Sequence, residues 1–154
     1  MMVIAHRACP KHTPENSLEG IRRAAELGAD AVEIDVRLTR DAVAVLMHDR
    51  TLHRTTGTRG PTGARSFAAL RSLRLSNGEA VPTFAEALDT LPSGLRVAIH
   101  VKVPGAIDPI LDEVRNQGRQ RDVMVWSQQA LPVRVAADRE PEIEGSLLRD
   151  TFTS

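Results

Sequence analysis

The sequence predicts an α/β fold built on a parallel sheet. Short apolar runs alternate along the chain with stretches of helical period. Ionisable residues stand where the apolar runs end, and such folds gather their active sites at the carboxyl ends of strands. The length, 154 residues, suits one domain, expected over 1–154, that buries roughly 70% of its unfolded surface. A doubly wound open sheet and an eight-stranded barrel both share this pattern.

Val3-Ile4-Ala5 reads as a first buried strand. Thr13-Pro14-Glu15-Asn16-Ser17 then has the features of a helix start: a hydroxyl cap, Pro for the first turn, and an acid at the positive end. Leu18, Ile21, Ala25 and Leu27 continue the helical period to Gly28. Ala31 to Val36 is a second strand and Val43 to Met47 a third, which ends at His48-Asp49. Only Arg37 to Ala42 lies between them. Parallel strands there need an extended return segment, and an ordinary hairpin is the alternative.

A polar loop from Arg50 to Arg65 follows, then a short helix over Ser66 to Leu73. The Gly57 to Gly63 stretch matches no phosphate-loop pattern and reads as an ordinary loop. Thr83 and Glu86 form a capping-box match ahead of Ala87, Leu88 and Leu91. Arg96 to Val103 is a fourth strand, Ile107 to Gly118 a helix, and Val123 to Trp126 a fifth strand. Pro132 to Arg139 is a helix and Ile143 to Leu148 a sixth strand.

Composition excludes several classes. Acids and bases balance at 20 each, so no net field draws nucleic acid or an anionic membrane. The apolar run at the N-terminus is too short for a signal core or a membrane span. Cys9 is the lone cysteine and cannot form an internal disulfide. A cytoplasmic protein is the expectation.

The chemistry concentrates at four strand ends. Residues two apart in a strand share a face, so Glu33 and Asp35 project together. Buried carboxylates need a cation opposite, whether a neighbouring Arg or Lys or a hard divalent metal. His6-Arg7 ends the first strand and His48-Asp49 the third. Two imidazoles can divide acid and base work, and Arg7 offers a planar fork for phosphate oxygens. His100 and Lys102 share a face at the fourth strand end. Lys102 could bind a phosphate oxygen, and His100 could complete a metal site. Cys9, His12 and His53 carry no persuasive role.

Together these residues resemble one family, the glycerophosphodiester phosphodiesterases. The likeness rests on Ile4-Ala5-His6-Arg7, on Pro14-Glu15-Asn16-Ser17-Leu18-Glu19, and on Gly28 to Thr39 with Glu33-Ile34-Asp35 inside it. It continues through Val45 to Thr56, with His48-Asp49, and through Pro82-Thr83-Phe84. The resemblance implies a TIM-type (β/α) barrel, incomplete here, with about six of the eight strands and without the C-terminal part. It implies an Mg²⁺- or Ca²⁺-dependent hydrolase that turns a small-molecule glycerophosphodiester into sn-glycerol 3-phosphate and an alcohol. Glu33 and Asp35 would hold the metal, His6 and His48 would be general acid and base, Arg7 would bind phosphate, and Glu15 with Asn16 would support the site. A non-catalytic remnant of the family and a sphingomyelinase D-like lipid phosphodiesterase are the competing readings.

Four departures from the family pattern stand out. Ala8 and Ala42 replace glycines, which is tolerable where φ is not positive. His100 stands where the family places a third metal-binding Glu, so weaker Mg²⁺ or Ca²⁺ binding, or a shift toward a transition metal, is expected. The fourth is length: an unclosed barrel leaves strand edges open to self-association.

Overall fold

A computed structural model describes residues 1–149. Residues 150–154, the end of the expected domain, lie outside it. The central strand is β2, Ala31–Leu38, whose first six residues are buried. Its alternation divides two environments. Val32, Ile34 and Val36 join the main core beneath the helices, whereas Ala31 packs on the other face with Ala98 and Met124. Glu33 and Asp35 fall on that second face.

The other strands are β1 (Ile4–Ala5), β3 (Ala44–Leu46), β4 (Arg96–Val101), β5 (Val123–Ser127) and β6 (Glu144–Leu147). Strands β1, β2, β4, β5 and β6 follow one another in a parallel series, and β3 lies off this path. Helices α1 (Leu18–Glu26), α4 (Phe84–Thr90), α5 (Ile107–Asn116) and α6 (Ala130–Arg139) pack side by side over the outer face. Two shorter helices, α2 (His53–Thr56) and α3 (Phe67–Arg71), lie in the segment after β3. Among the described residues β1 and β6 are the sheet's edges, and β6 is exposed along its length. No helix among them is long and apolar enough to cross a membrane.

Two expectations need correction. The third strand is antiparallel to β2, with Val36 opposite Leu46 and Leu38 opposite Ala44, so the hairpin alternative holds. The intervening segment is too short for a parallel crossover, which needs a dozen or more residues. Instead Thr39 closes the turn: its N–H donates to the Val43 carbonyl at 3.0 Å and its hydroxyl to Asp41 Oδ1 at 2.7 Å. Of the six strands among the described residues, five therefore belong to the parallel series. The first helix also starts later than Thr13, because Asn16 has a left-handed φ of 55°. Ser17 is the cap, accepting from the Gly20 N–H at 3.0 Å. The capping box at Thr83 and Glu86 forms as expected.

Backbone strain marks both substituted glycine positions. Ala8 has φ 54° and Ala42 φ 60°, so the condition that φ not be positive fails at both. Arg7 and Cys9 flank Ala8 with φ 47° and 61°, giving three consecutive left-handed residues. Each such non-glycine residue costs roughly 1–2 kcal/mol. Helix α1 presses on this turn so closely that a Cβ at Gly20 would sit 2.0 Å from the Ala8 carbonyl oxygen.

Ala42 is exposed, so Ala42→Gly relieves strain without emptying the core. It should raise unfolding free energy by about 0.5–1 kcal/mol after the added freedom of the unfolded chain is subtracted. Gly20→Ala should lower it by about 2–3 kcal/mol. Urea unfolding followed by circular dichroism measures both, and no gain from Ala42→Gly would refute the strain.

Candidate active site

The inner face of β2 brings Glu33 and Asp35 beside β4, where Asp35 pairs in register with His100. His100 Nδ1 lies 3.3 Å from Asp35 Oδ1 and 3.8 Å from Glu33 Oε1. Alternation along β4 carries Lys102 to the same place, with Nζ 3.7 Å from Asp35 Oδ1. Asn16, reaching in from the strained loop, donates from Nδ2 to Asp35 Oδ2 at 3.0 Å and accepts the Asp35 N–H at 2.9 Å. Glu33 Oε2 accepts the Arg7 backbone N–H at 2.8 Å. The left-handed conformation of Arg7 is part of the turn that delivers that donor.

The two carboxylates differ in character. Burial, helped by the Asp35 charge, pushes the Glu33 carboxyl up to about 7. Burial acts the same way on Asp35, but the His100 imidazole and the Asn16 amide more than offset it and hold that carboxyl below its ordinary value. Asp35 Oδ1 is buried and makes no hydrogen bond. One ligand atom from each of Glu33, Asp35 and His100 lies within 4.8 Å of the others. A paired carboxylate set with an unsatisfied buried oxygen and an imidazole nitrogen fits a divalent cation.

The second half of the site faces Arg7. Its guanidinium NH2 is 2.7 Å from His48 Nε2, and its Nε is 3.9 Å from Asp35 Oδ2. Arginine has no acceptor, so His48 Nε2 accepts and carries no proton. The proton sits on Nδ1, which donates to Asp49 Oδ1 at 2.8 Å. Asp49 is held in turn by Arg54, whose Nε donates to Oδ2 at 2.7 Å and NH2 to Oδ1 at 2.9 Å. These bonds hold the Asp49 carboxyl well below the ordinary range. Arg54 also grips Glu15 through two 2.7 Å bonds. Glu15 lies 3.8 Å from Arg7 NH1.

His6, in the turn after β1, is the most open member, with its side chain 68% exposed and Nε2 3.8 Å from Glu33 Oε2. Partial burial and the Arg7 charge lower its pKa.

Every residue picked out in sequence reaches this cluster: His6, Arg7, Glu15, Asn16, Glu33, Asp35, His48, His100 and Lys102. Sequence reasoning passed over Asp49 and Arg54 as site residues. Adjacency to His48 is a signal for Asp49. Arg54 carries none in its spacing, because only the folded loop brings it to Glu15.

This geometry agrees with what the chain resembles. The glycerophosphoryl diester phosphodiesterase family matches residues 6–137. The chain belongs to that family. It is 34% identical over 127 residues to a probable glycerophosphodiester phosphodiesterase 2 of Mycobacterium tuberculosis, covering 82% of this chain and 48% of that protein. It is 40% identical over 109 residues to human glycerophosphodiester phosphodiesterase 1, covering 64% of this chain and 33% of that one. An Oleispira antarctica phosphodiesterase, solved with the product sn-glycerol-3-phosphate, superposes with TM-score 0.87 at 27% identity over 94% of this chain and 64% of its own. The Agrobacterium tumefaciens glycerophosphodiester phosphodiesterase does so with TM-score 0.85 at 28% identity over 94% and 65%. The chain thus spans about half of the first-named relative and under two thirds of these two solved structures. The fold expectation holds: the parallel series corresponds to part of the family's TIM-type barrel.

The raised Glu33 carboxyl gives metal-free protein a defined pH response. Its folded pKa of about 7 exceeds the ordinary 4.5, so between these values the folded protein binds more protons than the unfolded chain. The stability advantage is present below pH 4.5 and is lost as pH rises through 7. In chelator, Glu33→Gln should abolish this loss, on the order of 2–3 kcal/mol between pH 5 and 8. Identical pH dependence in both proteins, by urea unfolding, would show that Glu33 is not perturbed.

Proposed function

We propose that this chain is a metal-dependent phosphodiester hydrolase that converts glycerophosphodiesters to sn-glycerol 3-phosphate and an alcohol, in glycerophospholipid metabolism. One observation carries the reading. A hydrogen-bonded Asp49–His48 pair and Arg7 stand against a Glu33, Asp35 and His100 set whose Asp35 oxygen is unsatisfied. Family membership supports it. A cytoplasmic setting belongs to the same reading, supported by the single cysteine.

The roles follow from the contacts. Glu33, Asp35 and His100 would hold the divalent cation, which when bound supplies positive charge to offset charge building on the phosphate. Arg7 and Lys102 bind phosphate oxygens. As Arg7 turns to phosphate it releases the lone pair of His48 Nε2, which takes the proton of the attacking hydroxyl. Asp49 stabilises the imidazolium that forms, and Arg54 keeps Asp49 in place. A bond from the attacking glycerol hydroxyl to phosphorus forms as the bond from phosphorus to the leaving oxygen breaks, and His6 supplies that oxygen's proton. Water then opens the resulting cyclic phosphate to give sn-glycerol 3-phosphate. The lowered His6 pKa makes its protonated form a readier donor.

The donor set bears on metal choice. Two carboxylates and one imidazole favour ions that accept nitrogen over Mg²⁺ and Ca²⁺, which prefer oxygen. Zn²⁺ or Ni²⁺ should bind the wild-type protein more tightly than Ca²⁺ does. His100→Glu should raise Ca²⁺ affinity by about 10-fold or more, read by calorimetry. Equal Ca²⁺ affinity in the two proteins would refute the assignment.

Turnover is tested with glycerophosphocholine and glycerophosphoethanolamine across a metal panel and in chelator. Release of sn-glycerol 3-phosphate should require metal. It should fall by about 10²–10⁴-fold in His6→Ala, His48→Ala and Asp49→Asn. No release with any metal from a folded sample would sink the proposal.

A further inference from the structure

A cleft of about 560 Å³ opens beside the candidate active site and has no part in the chemistry above. Arg37 and Leu38 at the end of β2, Arg50, Thr62, Gly63 and Val103 are among its walls. Arg37 stands two residues beyond Asp35 on the same face of β2, about 7 Å further along the strand. Its Nε donates to the His48 carbonyl at 2.9 Å, which pins the guanidinium next to the proposed base. The cleft therefore lies within reach of a group attached to a bound phosphodiester.

Its charge is one-sided. Among the described residues neither Arg37 nor Arg50 pairs with a carboxylate, and no acid stands in the cleft's lining. The nearby acids face other groups: Asp49 bonds Arg54 and His48, and Asp35 bonds Asn16 and lies against His100 and Lys102. Burial lowers the Arg37 pKa, the Asp35 and Asp49 charges oppose that without contacting it, and Arg50 adds a smaller like-charge push in the direction of burial. The Thr62 hydroxyl is buried without a hydrogen-bond partner. Propping the His48 carbonyl needs only Arg37 Nε, and it accounts for neither Arg50 nor Thr62. Two guanidiniums sharing a cleft are best satisfied by an anion between them. The lining contains no acid and no aromatic ring, so a cationic group finds neither a counter-ion nor a cation–π face there.

We propose that this cleft is an anion subsite that receives a carboxylate or phosphate carried by the alcohol half of the diester, so that the chain favours anionic head groups. This rests on the phosphodiesterase reading for its substrate, while anion binding by the cleft stands on the two arginines alone.

Two measurements separate these dependencies. In the first, inorganic phosphate is titrated into the full chain and backbone amides are followed by NMR. The Gly63 and Ala64 amides should shift in wild type, and the shift should need at least about 10-fold more phosphate in Arg50→Gln. Unchanged Gly63 and Ala64 amides in wild type, or an equal titration in Arg50→Gln, would overturn the subsite. In the second, kcat/KM is compared for glycerophosphoserine, which adds a carboxylate, and glycerophosphocholine. Wild type should favour the serine compound. Arg50→Gln should lower the ratio about 10-fold, and Arg50→Glu should invert it. A ratio indifferent to both substitutions would overturn the head-group preference. If neither compound turns over, the hydrolase reading fails, and the phosphate titration still decides the subsite.

Discussion

Two carboxylates side by side on the inner face of β2 are the constraint around which this structure is arranged. Glu33 and Asp35 are almost wholly buried, and two unpaired charges in that position cost far more than a small domain can absorb. Each neighbouring element contributes to their compensation. The turn after β1 gives the Arg7 N–H, the loop before α1 gives the Asn16 amide, and β4 gives His100 and Lys102. What stays unsatisfied is one Asp35 oxygen, facing an imidazole. The compensation therefore stops where a cation can complete it.

Compensation of this kind demands backbone that side chains ordinarily avoid. Arg7, Ala8, Cys9 and Asn16 are all left-handed, and they are the residues that carry the Arg7 and Asn16 donors to β2. Gly20 lets α1 close over the turn and hold it. Strain stored at this point is offset by the buried core of α1 and by the hydrogen bonds the turn secures. Ala8 and Ala42 add to the strain, since each occupies a conformation suited to glycine.

The β3 hairpin has a different task. Because it runs antiparallel to β2, it returns the chain to the level of Asp35 and leaves His48 beside Arg7. Arg54 then ties the loop after β3 to the loop before α1 by binding Asp49 and Glu15 together. The tautomer of His48 is set by direct contacts at both ring nitrogens, Asp49 at Nδ1 and Arg7 at Nε2, with Arg54 fixing Asp49. The same hairpin shapes the neighbouring cleft, since Arg37 pairs within it opposite Val45 and Arg50 follows it.

Much of this was legible in the amino-acid order alone. Period-two spacing placed Glu33 with Asp35 and His100 with Lys102, because alternation is a local property of an extended chain. The order of motifs from His6 to His48 identified the family because those residues lie in β2 or in the segments that follow β1 and β3. Tertiary structure alone decided the rest. The Arg37 to Ala42 link is too short for a parallel crossover, and the hydrogen bonds of the Thr39 turn settled how β3 folds back. The signs of φ at Ala8 and Ala42 depended on what their carbonyls and neighbours must reach. Arg54 entered the site through contact with Glu15, 39 residues away in the chain. Sequence spacing reports which residues share a face. Which faces meet is set by packing, and that is where the Arg54 bridge and the two-arginine cleft arise.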